Sequence, residues 1–277
     1  MNIATLMLKK MCVVVVLCLW WGSASAFADT KLEKQITNSI GMKFALIPAG
    51  KFTMGSPPDE RLRFDNEKQV PVTLTRDFYL GTTEVTQFQW QSVMGTRPWI
   101  GKEYVKEGKD YPATYVSWKD AVAFCKKLTE VERRAGRLPT GWEYRLPTEA
   151  QWEYACRAGS TTAYGIDDGS SFRDYAWHDG TVKGEKYAHQ VGQKRANAYG
   201  LHDMHGNLWE WCQDYYIEAL PGGTDPQGPS EGAFRICRGG GWFDTDWACR
   251  SARRQWYMSG SRFNFLGFRV SRVPSSQ

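Results

Sequence analysis

Three segments of the chain repeat apolar residues at helical spacing. Each is preceded by a hydroxyl residue with Gln or Asp three positions further on. Thr86 with Gln89 opens a run through Trp90 and Val93 to Gly95. Ser117 with Asp120 opens one in which Trp118, Ala121, Val122, Cys125 and Leu128 share a face, and Thr148 with Gln151 leads into Trp152 and Ala155. A hydroxyl that accepts from the N3 amide, while the N3 side chain returns to the N-cap amide, is a capping box, so the pattern predicts three helices. Short β-branched and aromatic runs predict strands at 44–47, 72–74, 78–80, 208–212 and 267–270. Gly-, Pro- and Asn-rich stretches such as 54–58 and 159–173 read as loops.

The first residues follow a different pattern. Lys9 and Lys10 precede the apolar run Met11 to Trp21, and the small residues Ser23 to Ala26 follow. This predicts a secretory signal peptide over residues 1–28, with cleavage at Ala26-Phe27-Ala28 and export to the periplasm or outside the cell. The apolar run is too short for a stable membrane span, and no stop-transfer pattern follows it. Leu17 stands before Cys18 where a lipoprotein signal wants a small residue. No internal repeat or low-complexity linker divides residues 29–277, which read as one α+β domain acting as a monomer.

Composition narrows the classes. The formal charge of +5 falls to +3 when Lys9 and Lys10 leave with the leader, and basic and acidic residues are interspersed, so nothing points to nucleic acid. Aromatics at 14% and 27 glycines fit a loop-rich domain in which rings pin long connections, not a helical bundle. Five cysteines remain after the leader, at 125, 156, 212, 237 and 249, with no C-x-x-C pair to suggest zinc or a dithiol. In an oxidising compartment they predict up to two bridges. Cys212 and Cys237, at the ends of expected strands, form one candidate pair.

The order of local motifs adds a resemblance. Asn38-Ser-Ile-Gly-Met42, Ile47-Pro-Ala-Gly50, Met54-Gly-Ser56, Glu84-Val-Thr86, Pro112-Ala113 with Val116-Ser-Trp118, Arg145-Leu-Pro-Thr-Glu149, Gly206-Asn-Leu-Trp-Glu-Trp211, Arg238-Gly-Gly-Gly-Trp242 and Gly267-Phe-Arg269 stand in this order. In this the chain resembles the formylglycine-generating enzyme, or sulfatase-modifying factor, family. The resemblance implies an irregular α+β domain related to C-type lectins, with a cleft in its C-terminal half and Trp209 at the floor of that cleft.

It also implies chemistry. The family's calcium turn maps onto the Asp203 and Glu210 side chains with the Gly206 and Leu208 carbonyls, a hard-oxygen set. The plainer reading of Trp209-Glu210-Trp211 is two core indoles on one face of a strand and an ion-paired Glu on the other. The family's second calcium site lies upstream, around residues 175–187, where the match assigns no ligands. An iron site from His202, His205 and Asp203 has little support, because fold relatives that bind iron take ligands from an added domain. Cys156 and Cys249 match a bridged family pair, while the partner position of Cys125 reads Val270. Arg238, Arg250, Arg253, Arg254 and Arg269 read as structural forks binding loop carbonyls.

The departure from the family lies at its copper centre. Members oxidise a substrate cysteine with two thiolates that bind copper(I). Here the motif's Ser is Gly241, the first cysteine position is Asp244, and the segment to Cys249 is too short to supply the second. An aspartate cannot replace a thiolate for copper(I), so that route is expected to be absent. Two classes remain. One is an oxidative tailoring protein for a peptide or small peptide-derived substrate. The other is a non-catalytic, lectin-like module binding a surface ligand through Phe243, Asp244, Asp246, Trp247, Gln255, Trp256, Tyr257 and Phe263; Trp209, Gly241, Asp244, Trp247 and Trp256 are the candidates for the ligand cleft.

Overall fold

The computed structural model describes residues 32–166 and 171–275. The leader read over residues 1–28 lies outside them. In chain order the strands are β1 Gln35–Thr37, β2 Lys43–Ile47, β3 Gly50–Met54, β4 Val70–Leu74 and β5 Phe78–Gly81, followed by the helices α1 Gln87–Met94 and α2 Trp118–Arg134. Next come β6 Trp142–Arg145, helix α3 Glu149–Arg157, β7 Ala176–Trp177, β8 His205–Gly206, β9 Trp209–Tyr215 and β10 Gly223–Thr224. β11 Phe234–Arg238, β12 Gln255–Met258, β13 Leu266–Gly267 and β14 Ser271–Pro274 complete the set.

All three helices begin where the capping boxes place them. Thr86, Ser117 and Thr148 each accept from the N3 amide, and Gln89, Asp120 and Gln151 each return to the cap amide. Gly95 closes α1 in the left-handed conformation, at φ 74°. Trp90 of α1 stacks on Phe124 of α2 at 5.6 Å, and Phe268 packs edge-on against both rings.

A five-stranded antiparallel sheet runs β1-β2-β5-β14-β6, and α2 covers β6. A second sheet, β12-β11-β9-β13, carries the C-terminal half. Its register puts Cys237 opposite Trp211, Ile236 opposite Trp256, and Arg235 opposite Tyr257. Because successive side chains alternate, one face holds Trp209, Trp211, Cys237 and Tyr257, and the other holds Glu210, Cys212, Ile236, Arg238 and Trp256. α3 packs on the second face. The expected strand at 267–270 is shorter than predicted, because Phe268 and Val270 instead receive the amides of Val85 and Gly81 on their carbonyls.

Four arginines tie this irregular chain together, each joining a buried carboxylate to loop carbonyls. Arg238 pairs with Glu149 and Glu153 of α3 and donates to the carbonyls of Ser251 and Ala252. Arg254 holds Glu149 and the carbonyls of Asn66, Ile217 and Glu218. Arg250 holds Glu60, Glu67 and the carbonyls of Leu62 and Trp247. Arg269 holds Glu210 and the carbonyls of Gly81 and His202. A guanidinium offers five donors in a fixed fork, which suits a segment poor in ladder hydrogen bonds. The fifth arginine expected to act this way, Arg253, does not.

Candidate functional site: the Trp209 floor

After β11 the chain turns through Gly239 and Gly240, at φ 102° and 80°. A Cβ on Gly240 would lie 2.6 Å from the Cys249 sulfur, so only glycine fits there. The next turn is closed by the Asp244 amide donating to the Gly241 carbonyl at 3.0 Å. Asp244 Oδ2 accepts from the Gly241 amide at 2.9 Å and from Trp209 Nε1 at 2.7 Å. Burial lifts the Asp244 carboxyl above its ordinary range, and these two donors pull the other way. Gly241 leaves room for this contact: a Cβ there would lie 3.3 Å from Asp244 Oδ2 and 3.4 Å from the Trp209 ring.

Aromatic rings continue the face outward. Phe243, 43% exposed, meets Phe265 edge-on at 4.9 Å, Phe265 stacks on Phe263, and Phe263 meets Tyr257. Trp247 lies to one side, tilted against Phe64 at 6.1 Å. The structure thus brings together Trp209, Gly241, Phe243, Asp244, Tyr257 and Phe263. It removes Trp256 from the set: one residue from Tyr257 on β12, Trp256 faces the opposite side of the sheet and stacks on Tyr216 at 4.0 Å.

The expected calcium turn also reads differently. Arg269 Nε and Trp152 Nε1 both donate to Glu210 Oε2 at 2.7 Å, and Arg269 Nη2 donates to Oε1 at 2.6 Å. Glu210 is therefore the ion-paired residue of the plainer reading, with both oxygens committed. Asp203, at φ 56°, accepts the Gly192 amide on Oδ2, while its Oδ1 is buried without a partner. Among the described residues no group of three or more His, Cys, Asp or Glu side chains is arranged to hold a metal. Of the expected set Asp203, Gly206, Leu208 and Glu210, the Glu210 carboxylate is taken up by Arg269 and Trp152, while Asp203 Oδ1 is not.

Residues 29–273 match the family described as "Sulfatase-modifying factor enzyme 1-like domain". The chain belongs to this family. A chaperone protein LppX of Paenibacillus barcinonensis is 32% identical to it over 62% of this chain and 71% of that protein. A formylglycine-generating enzyme of Streptomyces coelicolor is 30% identical over 81% of this chain and 87% of that protein. The structure of PvdO from Pseudomonas aeruginosa superposes with a TM-score of 0.74 at 28% identity, covering 86% of this chain and 97% of that one. The α+β fold expected from the motifs is the fold observed.

The described cysteines are unbridged in this structure. All five are free and buried, so neither Cys156–Cys249 nor Cys212–Cys237 is bridged. Cys212 and Cys237 lie on opposite faces of their sheet, since Cys237 is in register with Trp211, one residue away. Cys156 Sγ faces His205 Nε2 at 3.7 Å and Ser251 Oγ at 3.6 Å, whereas Cys249 Sγ faces the Thr245 carbonyl. His205 Nδ1 meets the Cys249 carbonyl at 2.8 Å. Burial pushes the Cys156 thiol up to about 12 and the His205 imidazole down to about 4, so this pair is held neutral. Glu84, Phe64 and Phe265 take part in these arrangements without a signal in the local sequence, and His205, weighed only as an iron ligand, instead faces Cys156. Glu84 is the partial exception, since it opens one of the ordered motifs. It accepts from Asn207 Nδ2 at 2.9 Å beside the Asp203 turn.

Proposed function

We propose that the protein is an exported family member that recognises a peptide or peptide-derived ligand over the Trp209 floor, without a copper–thiolate pair. The observation that carries this reading is Asp244. The position where the copper chemistry needs a soft thiolate holds a carboxylate, already engaged as acceptor for Trp209 and Gly241. The exposed ring of Phe243 and the half-buried rings of Tyr257, Phe263 and Phe265 offer apolar area with little side-chain entropy to lose, which suits peptide faces. The succession of Lys9 and Lys10, the apolar run Met11 to Trp21 and the small residues Ser23 to Ala26 supports export.

A second reading, oxidative maturation of a peptide-derived substrate by another route, is favoured by the similarity to a formylglycine-generating enzyme. The raised carboxyl of Asp244 at the floor is also a group suited to moving protons. One experiment separates the readings. A peptide library is passed over the wild type and over Phe243→Ala in air, with and without copper and calcium, and retained peptides are weighed by mass spectrometry. Retention by the wild type alone, with unchanged masses, is the expected result. Oxygen-dependent mass shifts would establish the second reading, and equal retention by both proteins would overturn the aromatic face.

A further inference from the structure

Arg253 stands among arginines that are fully used, and it is not. Arg238, Arg250, Arg254 and Arg269 each hold a carboxylate, yet among the described residues the Arg253 guanidinium forms no hydrogen bond or ion pair. Its Nε is buried without a partner. Its carbon Cζ lies 4.0 Å from the centre of the Phe64 ring and 5.8 Å from that of Trp247. Burial lowers its proton affinity and the Arg250 and Arg238 guanidinium groups add to that, while Glu67 and Asp244 act in the opposite sense.

The two aromatic walls are fixed by one residue. Arg250 donates to the Leu62 carbonyl and pairs with Glu60 and Glu67, which anchors the loop carrying Phe64. The same guanidinium donates through Nε to the Trp247 carbonyl at 3.1 Å. The walls are thus set before any ligand arrives, which lowers the entropy lost on binding. A guanidinium lying against rings keeps its edge donors free, and that edge matches the two oxygens of a planar carboxylate.

We propose that Arg253, against the Phe64–Trp247 ring pair, is a carboxylate-recognition subsite beside the Trp209 floor, engaging a carboxylate of the ligand. This rests on the peptide-ligand reading above, and the test keeps the two apart. The indole N–H signal of Trp247 is followed by NMR during titration with N-acetyl-phenylalanine and with its uncharged amide, in the wild type, Arg253→Gln and Arg253→Lys. The acid should bind the wild type roughly tenfold more tightly than the amide, Arg253→Gln should abolish the difference, and Arg253→Lys should restore part of it. Melting temperatures should agree closely, because the side chain holds no buried acceptor. Acid and amide binding alike, or an acid preference that survives in Arg253→Gln, would overturn the subsite. An Arg253-dependent acid preference in a protein that retains no library peptide would uphold the subsite and remove the peptide reading.

Discussion

Arg269 grips Glu210 with two donors, and both side chains are sealed from solvent. Removing either partner strands a buried charge, which costs about 3–5 kcal/mol. Glu210→Gln and Arg269→Met should each lower stability to urea by that order, and the double substitution should cost less than the sum. A chelator should leave the wild-type melting temperature unchanged. A chelator-sensitive melt that Glu210→Gln abolishes would reinstate calcium at this turn.

Asp244 should behave as a brace. Asp244→Asn keeps an acceptor for Trp209 and Gly241 and should preserve stability, whereas Asp244→Ala should lose about 1–3 kcal/mol by orphaning both donors. Neither the wild type nor these variants should consume oxygen with a cysteine-containing peptide and copper. Turnover that Cys249→Ser or Cys237→Ser abolishes in folded protein would contradict this.

Asp214 gives the protein a pH slope. Burial, with the Glu149 carboxylate adding to it, lifts its carboxyl from the ordinary 3.8 to about 7. The folded state then keeps a proton that the unfolded state releases, so stability falls as pH rises between about 4 and 7, by up to about 1.4 kcal/mol per pH unit. Asp214→Asn retains an acceptor for the Glu149 amide and should remove that part of the slope. Urea melts at pH 5, 6, 7 and 8, compared between wild type and variant, isolate this contribution. Identical slopes would refute it.

The five buried thiols should be silent toward a thiol reagent in folded protein lacking the leader, and all five should react once it is unfolded. Burial raises each of them above the usual thiol range, so little thiolate is present at neutral pH. A count of three after unfolding, with a Cys156–Cys249 peptide in the non-reduced map, would show that the family bridge forms.

What could be read in advance follows from how local each signal is. The three helix starts were legible because a capping box lies within four residues. β12 was not foreseen, and β11 only at its Cys237 end, because its pattern is broken by Arg235 and Arg238. Each is satisfied only by distant groups: Arg235 lies between the Trp118 and Tyr215 rings, and Arg238 reaches the carboxylates of α3. Trp256 was grouped with Tyr257 because neighbours in sequence look like one patch, and strand alternation separates them. The Trp209–Asp244 contact spans thirty-five residues and Arg250–Glu67 spans far more, so no spacing rule exposes either. Arg253 was read as one more structural fork, since nothing in its neighbours' sequence distinguishes an arginine with acceptors from one without.

The place of β14 sets the order in which the protein can be made. It inserts between β5 and β6, and β6 has no other strand partner in that sheet. A ribosome releasing this chain at about 5–20 residues per second therefore leaves β5 with one edge open for on the order of ten seconds or more before Ser271–Pro274 emerges. For that interval the nascent protein offers unpaired strand edges to any other chain nearby, a hazard that favours holding it unfolded until synthesis is complete.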